Sequence, residues 1–404
     1  MLFTPRLANG KAVQLPWPLA FYRRCNIICW PLEDGAAWWT HSLTKFIYVF
    51  TFVLLLMFNE AEIRYFYYNR NNLDDLLTGL PTYLVMIEIH LRAFTAGLNK
   101  NSFKRMLTKF YAEIYVDKSS RPDIHARNLR SYYPVVVFST FYVCVYLSYI
   151  VYAVYGLAMG DKPLMYKMIL PFDHRDLRIY IPLMLSYLWV GALTIATLIG
   201  ESYILTMFIH NIDGRYEIMR DNLMLRIEKI LKSAPNDPSA LEKFNLVIVD
   251  TLKENIRLNQ FAHEVKREFS FRIFILFSFL AATLCILVFK VYTSPANNIQ
   301  YIFWTIGKIL EAIAFGQIGT TIATRNQTDA ISSMYYESKW ESIIQYYTDP
   351  KANARLMKFI TLAIAINEKP FNLTGMNFFD VSLASALTIL QGASSYFTFL
   401  ISLR

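Results

Sequence analysis

The chain has 404 residues, of which 55% are apolar, 16% aromatic and only 18% charged. Soluble domains carry about a quarter charged residues, so this composition indicates a membrane protein rather than a soluble domain. The formal net charge of +9 does not require a nucleic-acid partner, because most Lys and Arg residues lie between apolar segments, where they orient a membrane protein.

Seven apolar segments are long enough, or nearly long enough, to cross a bilayer. The fourth and sixth are long, so we expect them to tilt or to project beyond the bilayer. The N-terminal 40 residues lack the apolar core of a secretory signal peptide, which leaves the first span to direct insertion. The predicted fold class is an all-α membrane protein with seven transmembrane helices, roughly residues 42–58, 76–98, 134–157, 179–209, 271–292, 299–323 and 376–403.

The distribution of Lys and Arg predicts the orientation. Thirty of them lie in the N-terminus and in the second, fourth and sixth loops, against eight on the opposite side. Under the positive-inside rule, the N-terminus is then cytoplasmic and the C-terminus extracellular. A seven-helix G-protein-coupled receptor has the opposite orientation. If the chain were reversed in this way, the glycosylation sequons at Asn326 and Asn372 would become available for modification.

The segments between the spans are predicted to be helical. Residues 13–32 suit an amphipathic helix in the inner interface. The charged stretch between the fourth and fifth spans keeps helical spacing on both sides of Pro235 and Pro238, and predicts a cytoplasmic hairpin. The expected organisation is a cytoplasmic N-terminus with an interfacial helix (1–41), transmembrane helices 1–4 (42–209), a helical extension or anchor (210–270), helices 5–6 (271–323), further anchor helices (324–375) and helix 7 (376–404).

The sequence contains no catalytic signature. We find no Walker loop, dinucleotide-binding Gly triplet, HExxH motif or nucleophile elbow, so we predict neither an enzyme nor a cofactor. Cys25 and Cys29 have a spacing that a metal pair would use, but a pair on one side of a helix is the more economical interpretation. No metal site and no disulfide framework are predicted.

Charged residues inside predicted spans indicate function by default. In the second span, Glu88, His90 and Arg92 occupy alternate positions, so we expect them not to form one cluster on the helix, with Arg92 near its inner end. In the sixth span, Lys308 and Glu311 are three residues apart and can pair on one face. We favour a structural ion pair over a role in gating or permeation.

Tyrosines recur along one face of the third span, at Tyr142, Tyr146, Tyr149 and Tyr152. Such a face suits packing and an interfacial aromatic belt. It also suits the wall of an apolar cavity that binds a small volatile molecule, often an aromatic one. On this second interpretation the candidate ligand-binding residues are Tyr83, Ile87, Tyr146, Tyr149, Tyr152, Tyr187 and Trp304.

The last span carries polar residues at steps of three or four: Ser382, Ser385, Thr388, Gln391, Ser395, Thr398 and Ser402. The last five fall within roughly an 80° arc of one helix face. A helix that lines a water-filled pore has a use for such a stripe. Two alternatives remain: Ser and Thr hydroxyls bond back to the preceding turn of the helix, and small polar residues mark close helix–helix contacts.

The C-terminal region carries specific motifs. They are Tyr335-Tyr-Glu-Ser-Lys-Trp340, the run Gly375-Met-Asn-Phe-Phe-Asp-Val-Ser-Leu383, and the ending Tyr396-Phe-Thr-Phe-Leu400. In these motifs the chain resembles the insect odorant receptors. Length, seven spans and a cytoplasmic N-terminus agree with that family over the rest of the chain. A gustatory receptor would instead carry a Thr-Tyr pair followed by a Gln-Phe pair in the last helix, and these pairs are absent.

The resemblance implies a ligand-gated, non-selective cation channel in the plasma membrane of olfactory sensory neuron dendrites. Ligand-specific subunits of that family form tetramers with a shared co-receptor subunit, and a small volatile ligand opens a pore for cations. Cytoplasmic helices make most subunit contacts, which implies assembly roles for Trp340, Tyr336, Leu356 and Phe359. The final helix lines the pore, which implies pore or gate roles for Gln391, Ser395, Thr398, Phe399, Ser402 and Leu403.

The chain departs from the co-receptor of that family at the constriction. The co-receptor has Val and Gln where this chain has Phe399 and Ser402, and the connection between the fourth and fifth spans is short here. These departures imply a ligand-tuning subunit that pairs with the co-receptor.

Overall fold

The computed structural model describes residues 2–293, 299–325, 328–346, 349–367 and 371–402. A π-helical turn spans Phe110–Ile114, and a 3-10 turn spans Ala234–Asn236. The α-helices are α1 (Trp17–Cys25), α2 (Trp38–Tyr68), α3 (Leu73–Leu98), α4 (Lys100–Lys109), α5 (Pro122–Arg130), α6 (Tyr133–Ala158), α7 (Leu177–Ser233), α8 (Ala240–Thr293), α9 (Ile299–Arg325), α10 (Thr328–Tyr336), α11 (Trp340–Tyr346), α12 (Pro350–Ile366) and α13 (Leu383–Ser402).

The predicted all-α fold class is confirmed. Five segments of these helices are long and apolar enough to cross a membrane: Trp38–Tyr68, Pro122–Ala158, Leu177–Ser233, Ala240–Thr293 and Ile299–Ala323. They contain the predicted first, third, fourth, fifth and sixth spans. The second and seventh predicted spans correspond to α3 and α13, which have 26 and 20 residues. The orientation in the membrane stays a prediction.

The last helix begins later than predicted. Its predicted start at residue 376 is wrong, because strands β1 (Thr374–Gly375) and β2 (Phe379–Asp380) pair antiparallel at this point. Met376 and Asn377 form the turn between them with φ of 49° and 61°, a left-handed conformation that ends helical continuity. The helix starts only at Leu383. Leu403 lies outside the described residues.

Two helices are far longer than a bilayer is thick. α7 has 57 residues and α8 has 54, which correspond to about 85 and 80 Å at the helical rise. The hydrocarbon core of a bilayer is only about 30 Å thick. More than half of each helix therefore exceeds the length needed to cross that core, and the two form a hairpin that turns at Ala234–Asn236.

Aromatic packing fixes this hairpin near the membrane. Phe208 of α7 is fully buried, with its ring centroid 4.9 Å from that of Phe110 and 5.8 Å from that of Phe261 on α8. Buried aromatic pairs stabilise beyond the area that they remove from water. The long helices thus pack together and form a frame against which α3, α6 and α9 lie.

Candidate functional site

A cavity of about 70 Å³ lies among α3, α6, α7 and α9. Its wall is mostly apolar and aromatic. One lining residue, Tyr166, comes from the segment that connects α6 to α7 rather than from a helix. The lining residues are Thr82, Val85, Met86, Tyr142, Val145, Tyr146, Tyr149, Tyr166, Gly191, Thr194, Ile195, Leu198 and Trp304.

A glycine lets α6 and α7 approach each other at this cavity. A Cβ atom added at Gly191 would lie 2.2 Å from the ring of Tyr146, closer than any side chain tolerates. With no side chain at Gly191, the Tyr146 ring crosses α7, and its hydroxyl donates a hydrogen bond to the Leu188 carbonyl oxygen at 2.8 Å. The Gly–Tyr contact therefore shapes one side of the cavity.

Three tyrosines form a continuous aromatic wall. The ring centroid of Tyr166 lies 5.7 Å from that of Tyr149 and 5.5 Å from that of Tyr187. Tyr187 in turn lies 5.0 Å from Phe58 of α2. Offset and edge-to-face rings at such distances attract one another, so the connecting segment is held over the cavity by its own aromatic side chain.

Only some of the predicted ligand-binding residues line the cavity. Tyr146, Tyr149 and Trp304 line the cavity, and Tyr187 stands one layer behind Tyr166, with its hydroxyl 3.0 Å from the Met168 sulfur. Tyr83, Ile87 and Tyr152 do not line it. Tyr152 is 57% exposed.

Helix geometry explains why three of the seven predicted residues face elsewhere. At 100° per residue, each step of three or four residues turns only about 40° to 60° away from the starting face. Over the ten residues from Tyr142 to Tyr152 these steps add up to about 80° around α6. Thr82, Val85 and Met86 form the α3 face of the cavity. Tyr83 is about 100° away from Thr82 on the same helix, and its ring packs against Phe66 of α2 with centroids 5.1 Å apart.

Among the described residues, one buried carboxyl group near the cavity has no charged partner. Glu62 lies one turn beyond Phe58 on α2 and is fully buried. The Thr82 hydroxyl interacts with it, yet donates its proton to the Gly79 carbonyl oxygen at 2.7 Å. Both oxygens of Glu62 are thereby left without a hydrogen-bond donor in the described part of the chain.

Directly beside the cavity, buried charges of four helices form a network. Arg92 of α3 donates to Glu88 at 2.7 Å and pairs with Glu201 of α7 at 2.9 Å. Glu201 also accepts from Arg272 of α8 at 3.4 Å. Lys308 of α9 contacts Glu88 at 3.4 Å. All of these side chains are at most 5% exposed.

This network bears on two expectations. Glu88, His90 and Arg92 do not form one cluster, as expected, although Glu88 and Arg92 pair with each other because residues four apart meet on one helix face. The position of Arg92 near the inner end of its span stays a prediction. The predicted pair of Lys308 and Glu311 is present at 3.0 Å. His90 does face away from the network, and its ring lies 3.2 Å from the Asn59 amide nitrogen.

The last helix presents a polar face to its surroundings. Ala386 and Ala393 are buried against α8 and α9. On the other side Gln391, Ser395, Thr398 and Ser402 are exposed, as is Phe399 at 57%. The hydroxyls of Ser395, Thr398 and Ser402 also donate to carbonyl oxygens three or four residues earlier. The hydroxyls thus bond to the backbone of their own helix and at the same time form one exposed face. The stripe is compatible with both backbone hydrogen bonding and an exposed polar surface.

The predicted assembly residues lie around α12. Leu356 is fully buried within the subunit, Phe359 and Trp340 are half-buried, and Tyr336 is 64% exposed. The neighbouring Tyr335 points inward, and burial raises the pKa of its hydroxyl. An exposed groove on α12 is lined by Ala354, Met357, Lys358, Phe359, Thr361, Leu362 and Ala365.

Comparison with known proteins identifies the family. A family model described as "7tm Odorant receptor" matches residues 72–394. Odorant receptor 35a of Drosophila melanogaster is 39% identical over 404 residues, with 100% of this chain and 98% of that protein covered. The chain belongs to the odorant receptor family. Odorant receptor 74a of the same fly is 36% identical over 402 residues, covering 100% and 99% of the two chains.

A solved structure shares the fold of this receptor. The olfactory receptor OR5 of the insect Machilis hrabei, in complex with eugenol, matches with a TM-score of 0.71. The match covers 95% of this chain and 98% of that one, at 12% sequence identity. Membership of the odorant receptor family makes the receptor a membrane protein and not an enzyme, in agreement with the interpretation of its composition and motifs.

Several lining residues of this receptor were not among the sequence candidates. Thr82, Val85 and Met86 look like any apolar helix face, and Gly191 is informative only once Tyr146 is known to lie opposite. The periodic signal of Tyr142 was available but was not assigned to ligand binding. Tyr166 lies in a segment without helical period, so no pattern points to it.

Proposed function

We propose that this receptor is an odorant-gated, non-selective cation channel subunit that works in a heterotetramer with the co-receptor. Its membrane would be the plasma membrane of olfactory sensory neuron dendrites, with the N-terminus in the cytoplasm. The observation that carries the proposal is the small aromatic cavity among α3, α6, α7 and α9, within a fold shared with a receptor solved in complex with eugenol.

The cavity suits a small, mostly apolar ligand. Its wall offers aromatic faces for stacking and few hydroxyl groups for orientation, which gives affinity by apolar burial and only moderate selectivity. An engineered cavity of about 150 Å³ holds benzene, whereas this one measures about 70 Å³. Binding of an aromatic ligand therefore requires the lining side chains to move outward.

The polar face of α13 supports the pore. In one subunit this face is exposed while the opposite face packs on α8 and α9. Four such faces around a common axis would form a water-filled path, with Phe399 at its constriction and Ser402 beside it. Leu403, which the sequence also places at this end, lies outside the described residues.

The α12 groove supports assembly. Met357 and Leu362 are both nearly half exposed there, on a helix outside the predicted spans. Apolar groups at such a position are covered in an oligomer. Together with the half-buried Trp340 and Phe359 and the exposed Tyr336, this surface would contact a neighbouring subunit.

The test is whole-cell current from cells that express this receptor with or without the co-receptor, challenged with eugenol and other small volatile aromatics. We expect a rapid, non-selective cation current only on co-expression and without G-protein signalling. A response that required G-protein signalling would contradict the proposal, as would silence to the whole panel despite confirmed surface delivery of both subunits.

A further inference from the structure

Tyr142 belongs to two sites at once. Its ring lines the cavity, whereas its hydroxyl donates a hydrogen bond to the Glu311 carboxylate of α9. The side chain is 2% exposed. Among the residues that line the cavity, Tyr142 is thus a direct contact between a bound ligand and the buried charges.

The acceptor of this hydrogen bond is itself held by charge. Glu311 pairs with Lys308 at 3.0 Å, and Lys308 reaches Glu88 at 3.4 Å. These three side chains are completely buried. Removing one partner from a buried ion pair is strongly unfavourable, because the remaining charge stays uncompensated. The network therefore favours a few discrete arrangements rather than gradual deformation.

The helix that carries Glu311 also contacts the last helix. Trp304, Lys308 and Glu311 follow at steps of four and three, so they share one face of α9. Further along, a Cβ atom added at Gly319 would lie 2.0 Å from the Val381 carbonyl oxygen. The Leu383 amide donates to the Thr320 hydroxyl at 2.9 Å. One helix thus spans the distance from the cavity to the start of α13, about 22 Å over fifteen residues.

We propose that Tyr142 is a positioning residue whose hydrogen bond to Glu311 couples the occupancy of the cavity to the position of the last helix. The bond belongs to the arrangement with the small cavity and stabilises it. A ligand that enlarges the cavity displaces the Tyr142 ring, weakens the bond and releases α9, with the attached start of α13, to a second arrangement. This inference rests on the proposed channel function.

The proposal has a measurable consequence without any ligand. Tyr142→Phe keeps the ring in the cavity wall and removes only the hydroxyl. Since a hydrogen bond to a charged group shifts an equilibrium by about tenfold, we expect the ligand-free current per surface-labelled receptor to rise by about tenfold. Half-maximal eugenol concentration should fall, because less ligand binding free energy is needed to reach the second arrangement.

The matched control is Tyr216→Phe, which removes a buried tyrosine hydroxyl that donates to the Asn259 amide oxygen of α8, away from both the cavity and the charge network. We expect it to leave the ligand-free current unchanged. Glu311→Gln weakens the acceptor, and should raise the ligand-free current as Tyr142→Phe does. The double variant should exceed neither single variant by more than about twofold, since both act on one bond.

The outcomes separate the inference from the function on which it rests. A wild-type receptor without current under any aromatic contradicts the channel proposal. A working wild type in which Tyr142→Phe behaves like Tyr216→Phe overturns the coupling role, and so does a double variant whose effects multiply. If Glu311→Gln fails to reach the surface, the comparison of the two tyrosine variants decides alone.

Discussion

At the scale of residues, two buried glutamates of this receptor have opposite surroundings. Glu201 accepts from Arg92 and from Arg272, so its charge compensates two cations. Glu62 is equally buried, but in the described part of the chain no donor or cation pairs with its oxygens. The same substitution at the two positions therefore tests whether the network stabilises the bundle.

We predict that Glu201→Leu destabilises the receptor by about 1 to 3 kcal/mol, because two buried guanidinium groups each lose an acceptor and keep one carboxylate, Glu88 for Arg92 and Glu268 for Arg272. Glu62→Leu should be neutral or stabilising, because it removes a buried carboxyl group that accepts no hydrogen bond in the described part of the chain. Thermal unfolding of the purified receptor in detergent measures both. Equal losses at the two positions would contradict this account of the buried charges.

Residues also mark the limit of what the sequence could predict. Tyr146 and Tyr149 line the cavity as their spacing suggested, because helical period is a local property. The partners of Arg92 could not be foreseen in the same way, since Glu201 is 109 positions away and only tertiary packing brings them together. Tyr166 could not be predicted, because its segment has no helical periodicity.

At the scale of elements, the last helix has two faces of different character. Its period predicted the polar stripe, and the structure shows that stripe exposed while Ala393 packs near Leu284 and Cys285 of α8. Its start was mispredicted because strands of two residues leave no alternating pattern. The helix therefore begins later at its N-terminal end than hydropathy suggested. The proposed pore role rests on its C-terminal half.

A cysteine at Ser395 tests that assignment. In a background with the exposed Cys144 replaced by Ser, we predict that a membrane-impermeant thiol reagent reduces the current of Ser395→Cys. Position 393 lies two residues earlier, on the opposite face of α13, and its native alanine is only 4% exposed. Ala393→Cys should therefore resist the reagent. Modification of Ala393→Cys alone, or of neither position, would show that the polar face does not line the path of the ions.

At the scale of the whole molecule, the three tasks proposed above belong to different parts of the fold. The cavity lies among membrane helices, α13 is placed at the side of α8 and α9, and the α12 groove lies outside the predicted spans. Composition and hydropathy were sufficient for this coarse architecture, because spans and loops differ in bulk chemistry. The proposed subunit contacts stay a prediction, and Leu356 illustrates why the sequence alone does not decide them: a periodic apolar residue serves equally well inside its own subunit, where it is buried.

The α12 groove predicts an assembly defect. Met357→Glu places a charge in the groove and should prevent co-purification with a tagged co-receptor, because the carboxylate would lose its water at the subunit interface. Lys351→Glu, an acidic substitution on the same helix but outside the groove, should assemble normally. Normal co-purification of Met357→Glu would remove the groove from the subunit interface.

The central claim is that the cavity sets ligand response while the last helix sets permeation. The most direct measurement is the ligand-evoked current of Gly191→Ala and Ser402→Leu in cells that also express the co-receptor. Gly191→Ala pushes a Cβ into the Tyr146 ring and should raise the half-maximal ligand concentration at least about tenfold, with ion selectivity unchanged. Gly200→Ala controls for the clash itself, because its added Cβ would also lie 2.2 Å from a tyrosine ring, that of Tyr22, which does not line the cavity.

Ser402→Leu should do the reverse, lowering conductance or altering selectivity while the half-maximal concentration stays within about twofold, because an apolar side chain beside the constriction disfavours water and ions. If both variants changed ligand potency equally and left permeation untouched, the division between cavity and pore would be wrong.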